Sequence, residues 1–388
     1  GQKKKFRGQK IFEHLLPETV SEFSPNIDYI RTTPCLNRKN RPITSNEWKV
    51  WTGHENASSY LCPRDSIPQF VTEYGMQSFQ ETSSLKEFLQ LKEMYPGSRH
   101  TESLNFQTDG NSRIYRYTSD LFGPAADFRQ MVYFSQVTQA RGIGRYAEHL
   151  RIHRDRNSGM MFRQLNDSWP ASSFSVIDFF LQPKAAYYYI SRVFAPYLIT
   201  VIPEYQTDTK SLTGLTIGAL NDTSEQLTGI LQCRLSDLSD NILDKTSIPV
   251  SIGPFSIFQH HNLPKEFIYP LQPQNSCLTV TLIQNERTVA ENSFFYLPDK
   301  YLEWPACSIT QQLSPVNNKK WKLSLTGNSV CRDVCIVTEK KALISDNFFL
   351  LNEKDNKEVY IDFERPLHKR PNIEITSVNK ELRRIRTG

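Results

Sequence analysis

No apolar run in this sequence approaches the roughly 20 residues that a membrane span needs, so no crossing helix is expected. Cysteine is sparse. The seven residues Cys35, Cys62, Cys233, Cys277, Cys307, Cys331 and Cys335 lack both metal-ligand spacing and a dense disulfide framework. Cys331 and Cys335 fall on one face of an expected strand, too far apart to bond to each other. Buried free thiols are the expected state, with one or two bridges left open. A strong charge imbalance is missing too. Against 46 basic residues stand 41 acidic ones, and a net charge of +5 leaves no nucleic-acid footprint. The opening Gly1-Gln-Lys-Lys-Lys-Phe-Arg is not followed by the apolar stretch of a signal peptide.

What is present is length and rings. The 388 residues suit two or three domains rather than one core. Aromatics make up 12%, which fits either a carbohydrate binder or a β-rich core. Asn56-Ala-Ser58, Asn166-Asp-Ser168 and Asn221-Asp-Thr223 match the N-glycosylation pattern. They permit a lysosomal or secreted location, and a cytoplasmic one stays open.

In chain order, Ile11, Phe12, Leu15, Leu16 and Val20 define one face of a helix over 11–23. Tyr29 to Thr33 reads as a strand stopped by Pro34. Trp48 and Trp51 are either packing residues or platforms for a sugar ring. Residues 76–125 are polar and read as a long excursion, a usual place for substrate contacts. Asp127 to Arg154 reads as a helix with a buried stripe, weakened by Gly142 and Gly144, with Glu148 and Arg151 spaced to pair. His149 and His153 have metal-compatible spacing but no third ligand. A strand over Met160–Leu165 and a helix from Pro183 to about Val193 come next. From Leu212 onward, period-2 alternation and regularly spaced turns indicate β-sandwiches.

Two stretches carry chemistry. In Phe70-Val71-Thr72-Glu73-Tyr74-Gly75 a short strand delivers one carboxylate to its C-terminal end, and Gly75 allows a sharp exit. Most glutamates are solvated surface residues, and burying this one among apolar neighbours is costly unless it serves a purpose. The second stretch reads Gly159-Met-Met-Phe-Arg163-Gln-Leu-Asn166-Asp167-Ser-Trp169-Pro, then Ser173, Ser175, Asp178 and Lys184. Together they resemble glycoside hydrolase family 2 on its β-mannosidase branch. Ser345-Asp-Asn-Phe-Phe349 resembles a signature of the terminal sandwich in the same enzymes.

That resemblance implies the C-terminal part of a (β/α)8 TIM barrel over 1–201. Two immunoglobulin-like β-sandwiches complete the chain, over 202–300 and 301–388. It implies a retaining exo-β-glycosidase acting on terminal β-mannosyl residues, with Glu73 as nucleophile. Trp51, Tyr74, Arg163, Asn166, Asp167 and Trp169 become substrate-binding or supporting residues, and Asp178 and Lys184 structural ties. No cofactor is implied. A retaining mechanism needs a second carboxyl group, about 5–5.5 Å from the first. The family's acid/base is a Glu preceded by Asn on an earlier strand. Asn46-Glu47, Asn285-Glu286 and Asn352-Glu353 all lack that context, so an upstream half of the same enzyme is the expected partner. Departures cluster at the presumed pocket. Arg163 stands where the family has Trp, and Thr44, Asn46 and Thr52 replace an Asp and two His. A non-catalytic, glycosidase-derived carbohydrate-binding or structural protein is the alternative.

Overall fold

The computed structural model describes residues 7–36, 42–47, 67–206, 211–353 and 355–387. Trp48, Trp51, Thr52, Asn56 and Cys62 lie outside them. The N-terminal part is organised by a four-stranded sheet of β1 (Cys35–Leu36), β2 (Pro42–Glu47), β3 (Phe70–Tyr74) and β4 (Gly159–Phe162), in that order. β1 runs antiparallel to β2, whereas β2, β3 and β4 are parallel. Parallel neighbours need crossovers. The one between β3 and β4 contains the 25-residue helix Phe128–Ile152, started by Asp127, whose carboxylate accepts from Gln130 N at 2.8 Å.

Three local expectations are corrected. Residues 29–33 form no strand; pairing begins at Cys35. Strand propensity needs a partner to pair with, and among the described residues none pairs there. Residues 76–125 are not one long loop. They fold into short helices, the longest Gly110–Phe122, around their own core of Phe79, Leu85, Leu89, Leu104 and Ile114, closed by Phe128, Met131 and Val132. Glu148 and Arg151 do not pair with each other. Glu148 accepts from Thr200 and Asn292, and Arg151 reaches Asp222. Both charges dock the helix on residues beyond Tyr197 rather than brace the helix itself.

Residues beyond Tyr197 are β-rich, as the alternation predicts. A sheet of Tyr197–Tyr205, Leu212–Asn221 and Ser256–His260 packs on one formed by Leu227–Asp237, Ile242–Ile252, Ser276–Gln284 and Arg287–Phe295. Leu215, Ile217, Leu231, Cys233, Leu278 and Val280 fill the space between them. Gly218 lets the long helix approach this sandwich closely, since a Cβ there would come within 1.9 Å of Ile152 Cδ1 and the Ile152 side chain would have to shift.

A second pair of sheets contains Lys320–Gly327 and Lys357–Phe363 in one and Cys331–Thr338 in the other, with its own apolar core. Cys307 and Cys331 form a disulfide, so one of the bridges left open by the sequence exists, while Cys233, Cys277 and Cys335 are buried thiols. A closing helix, Val378–Thr387, was not legible from the patterning.

The Ser345–Phe349 stretch has a mechanical role. Arg192, at the end of the helix Ala185–Val193, binds Asp346 and the carbonyls of Asn347 and Phe348. The Asn347 side chain clamps Ile336 through both its N–H and its carbonyl. The triplet at Asn221 is not an open acceptor. Asn221 is fully buried, and its amide donates to the carbonyls of Glu225, Ile252 and Gly253.

Candidate active site

In open parallel sheets, ligands bind beyond the carboxyl ends of the strands. Glu73 lies at that end of β3, and residues 163–169 leave the same end of its neighbour β4. Glu73 is partly exposed, with its carboxylate accepting from Arg163 Nη1 at 2.8 Å. Asn46 sits opposite Glu73 in the register, while Thr44 is buried one level lower, opposite Phe70.

Gly75 allows β3 and the segment after β4 to meet. A Cβ on Gly75 would lie 2.4 Å from the carbonyl oxygen of Arg163. The Arg163 N–H also donates to Tyr74 O at 2.7 Å, extending the ladder just past the strand. The peptide between Arg163 and Gln164 is cis.

The remaining candidates separate by what they touch. Tyr74 is fully buried, packed edge-on against Tyr146 at 5.0 Å, and belongs to the core beneath the site. Asp167 is buried, and both its oxygens are engaged. One accepts from Gln164 Nε2 at 3.0 Å; the other accepts from Ser173 Oγ at 2.8 Å and Ser175 Oγ at 2.6 Å. It holds the loop in shape. Asn166 and Arg163 are exposed, and Trp169 is half-buried.

Beneath the loop, Asp178 Oδ1 accepts from Phe180 N and Gln182 N, and Lys184 is completely buried with its ammonium 3.4 Å from Ser173 O. Burial pulls Lys184 down to about 8, opposed by the carboxylates of Asp167, Asp178 and Glu81. The helix pair His149 and His153 bonds internally, His153 Nδ1 to His149 O, and among the described residues no cluster is arranged to hold a metal ion.

One ring that sequence reasoning passed over stands beside these residues. Phe106 is 82% exposed and contacts Trp169, ring centroids 4.4 Å apart. Its only signal was its place in the 76–125 excursion. A cleft of about 520 Å³ opens elsewhere, between Glu81, Lys86 and Arg129 on one side and Lys341 and Glu374 on the other. It contains none of the strand-end residues, whereas Glu73 stands at the carboxyl end of β3, where open parallel sheets bind ligands.

No protein-family model matches the chain. It is 25% identical over 384 residues to β-mannosidase B of Aspergillus clavatus, spanning 93% of this chain and 44% of that protein. To β-mannosidase B of Aspergillus terreus it is 31% identical over 216 residues, 52% of this chain and 25% of that one. Among solved structures, β-D-mannosidase from Dictyoglomus thermophilum superposes with a TM-score of 0.83 at 23% identity, over 97% of this chain and 46% of the other. The exo-chitosanase CsxA of Amycolatopsis orientalis gives 0.61 at 15% identity, over 82% and 43%. The chain thus spans less than half the length of each of these proteins.

Proposed function

We propose that this β-mannosidase-like chain, similar to the C-terminal portion of glycoside hydrolases of family 2, carries the nucleophile half of a retaining exo-β-glycosidase. Its substrates are glycosides or oligosaccharides with a terminal β-linked mannose. In this reading the four-stranded sheet is part of a catalytic (β/α)8 barrel over 1–201, with sandwiches over 202–300 and 301–388. The observation that carries it is the position of Glu73, at the carboxyl end of a parallel strand and beside the strand-end loop 163–169.

In the first step a Glu73 oxygen attacks the anomeric carbon, the bond to the leaving oxygen breaks, and a second carboxylic acid protonates that oxygen. In the second step the same residue, now a base, takes a proton from water, which displaces Glu73 and restores the original anomeric configuration. The second carboxyl group belongs to the rest of the enzyme, which in the relatives is more than half of the polypeptide. Arg163 holds Glu73 and must turn aside for the attack. Asn166 and Trp169 border the sugar, while Asp167 and Tyr74 support them from below.

The Glu73–Arg163 ion pair itself favours a second reading. A carboxylate already paired with a cation suits a binding or structural protein descended from a glycosidase. The test is covalent trapping in the full-length polypeptide, using a 2-deoxy-2-fluoro-β-mannoside with a good leaving group, followed by peptide mapping. A label on the peptide containing Glu73, and turnover reduced by at least about a thousandfold in Glu73→Gln, are the expected results. A label elsewhere removes the nucleophile role. Absence of turnover on any aryl β-glycoside establishes the second reading.

A further inference from the structure

We propose that Glu81, Asp178 and Lys184 form a proton-responsive support beneath the strand-end loop 163–169, so that one proton controls how firmly Glu73 and Arg163 are held. This rests on the reading of Glu73 as the reacting group and adds a regulation of that same site.

The support is built from buried charge. Lys184 and Asp178 are fully buried, and Asp167 nearly so. Asp178 and Lys184 share one turn, closed by Asp178 N donating to Gln182 O at 3.0 Å and Lys184 N donating to Val176 O at 2.9 Å. Glu81 comes from another segment. Gln136, which stabilises the Glu81 carboxylate, accepts from Ala185 N at 3.2 Å and so links Glu81 to the residue after Lys184. Three carboxylates, those of Glu81, Asp167 and Asp178, thus act on a single ammonium. All of these groups come from this chain, so further protein packed around it can only deepen their burial.

The other charges near Glu81 do not make up the difference. Around the cleft that Glu81 lines, Lys86, Arg129, Lys340 and Lys341 stand against Glu87, Glu339, Glu374 and Glu381. Arg129 is paired with Glu374 at 2.6 Å, and Glu381 with Arg384 at 2.9 Å. Tyr133, Tyr188 and Cys335, also on the cleft, are pushed up by burial and stay neutral. The rim is balanced, and the excess of carboxylates lies inside. Burial and then Asp178 keep the Glu81 proton on up to about pH 7, and burial pulls Lys184 down to about 8. Near neutrality, therefore, the enclosed cluster gains one negative charge that no further cation offsets.

A run of contacts leads from this cluster to the site. Lys184 Nζ donates to Ser173 O at 3.4 Å. The Ser173 hydroxyl donates to Asp167 at 2.8 Å, and Asp167 accepts from Gln164 Nε2 at 3.0 Å. Gln164 follows Arg163, which binds Glu73 at 2.8 Å. The Lys184 contact is the longest of these and the weakest. An ionised Glu81 competes with Ser173 O for the Lys184 ammonium, and the loop loses that anchor. With Glu81 protonated, the ammonium is left to Asp178 and the loop. Protonation therefore firms the site, and ionisation above about pH 7 loosens it.

The experiment compares Glu81→Gln with wild type in the full-length polypeptide at about pH 5.5 and about pH 7.5, on either side of the Glu81 titration near 7. Gln keeps the size of Glu and cannot ionise. Hydrogen exchange is read by mass spectrometry on peptides spanning 163–176, with peptides of Lys357–Phe363 as the internal reference. The two proteins should exchange alike at the lower pH. At the higher pH the wild-type loop should exchange at least about threefold faster than the variant's, with the reference unchanged. Turnover of an aryl β-mannoside is read as the ratio of kcat/KM, variant over wild type, which cancels any ionisation the two proteins share. This ratio should rise from about 1 at the lower pH to roughly three- to fourfold at the higher, the gain set by a group titrating near 7. A ratio that stays the same at both pH values, as a merely structural role for Glu81 gives, overturns the proposal and leaves the Glu73 reading intact. So does loop exchange that is equal in the two proteins at both pH values. If neither protein turns over any aryl β-glycoside, the glycosidase reading falls, and loop exchange alone decides whether the cluster controls the loop.

Discussion

The carboxylate of Glu73 and the guanidinium of Arg163 meet at 2.8 Å, though the residues are 90 apart in the chain. The pair sits at the ends of adjacent parallel strands, with Arg163 about half exposed and Glu73 about a third. An ion pair so open to water contributes little to folding, typically below about 1 kcal/mol. Arg163→Ala should therefore shift denaturant stability by less than that amount, with the shift shrinking further in high salt. A loss of several kcal/mol would mean that Arg163 holds the two strand ends together.

Gly75→Ala should cost far more than its size suggests. The new methyl would lie 2.4 Å from the Arg163 carbonyl oxygen, a backbone atom that cannot rotate away. Separating β3 from the segment after β4 should destabilise the fold by about 1–3 kcal/mol. It should also displace Glu73 relative to loop 163–169, so activity should fall even in the folded fraction. Unfolding curves and turnover per folded molecule check both parts.

Arg141 lies at the centre of a buried network. It bonds Asp299 and Asp333, Arg332 adds a bond to Asp299 at 2.9 Å, and Tyr133 donates to Asp333 O at 2.6 Å. Burial alone would raise the Asp299 carboxyl, but Arg141 and Arg332 outweigh it and hold it below its ordinary 3.8. A carboxyl held low contributes stability that is present above its unfolded value and is lost as pH falls through the folded one. The wild type should therefore lose stability on acidification below about pH 3.8. Arg141→Met should remove about 3–5 kcal/mol at neutral pH by leaving two buried carboxylates with Arg332 as their remaining cation. Its acid limb should be correspondingly shallower in a pH series of denaturation curves.

Glu81 gives the opposite sign. Its carboxyl is enclosed by protein although the residue as a whole is only partly buried. That enclosure, then Asp178, pushes it up from 4.5 to about 7, against Gln136 and Lys184. A raised carboxyl favours the folded state at low pH, and stability falls as pH rises from about 4.5 to about 7. Glu81→Gln should match wild type near pH 4.5 and exceed it above pH 7, by on the order of 1–2 kcal/mol. Thermal denaturation at the two pH values decides this, and equal shifts at both would refute it.

Much of this molecule is written locally. Period-2 alternation at Lys357–Phe363 marks a strand because one face must be apolar to meet a core, whatever that core is. The strand bearing Glu73 could be read in the same way, from a short apolar run, a carboxylate and a glycine exit. Residues 76–125 could not. Their apolar side chains are spaced by short, irregular turns, and their core forms only when the helix Phe128–Ile152 closes it. The state of each site residue was also out of reach of local pattern. Tyr74 is enclosed by Tyr146, both oxygens of Asp167 are taken by its own loop, Glu73 is held by Arg163, and Phe106 is set against Trp169. Several of these partners lie tens of residues away, and which groups remain free to meet a ligand depends on where folding brings the distant ones.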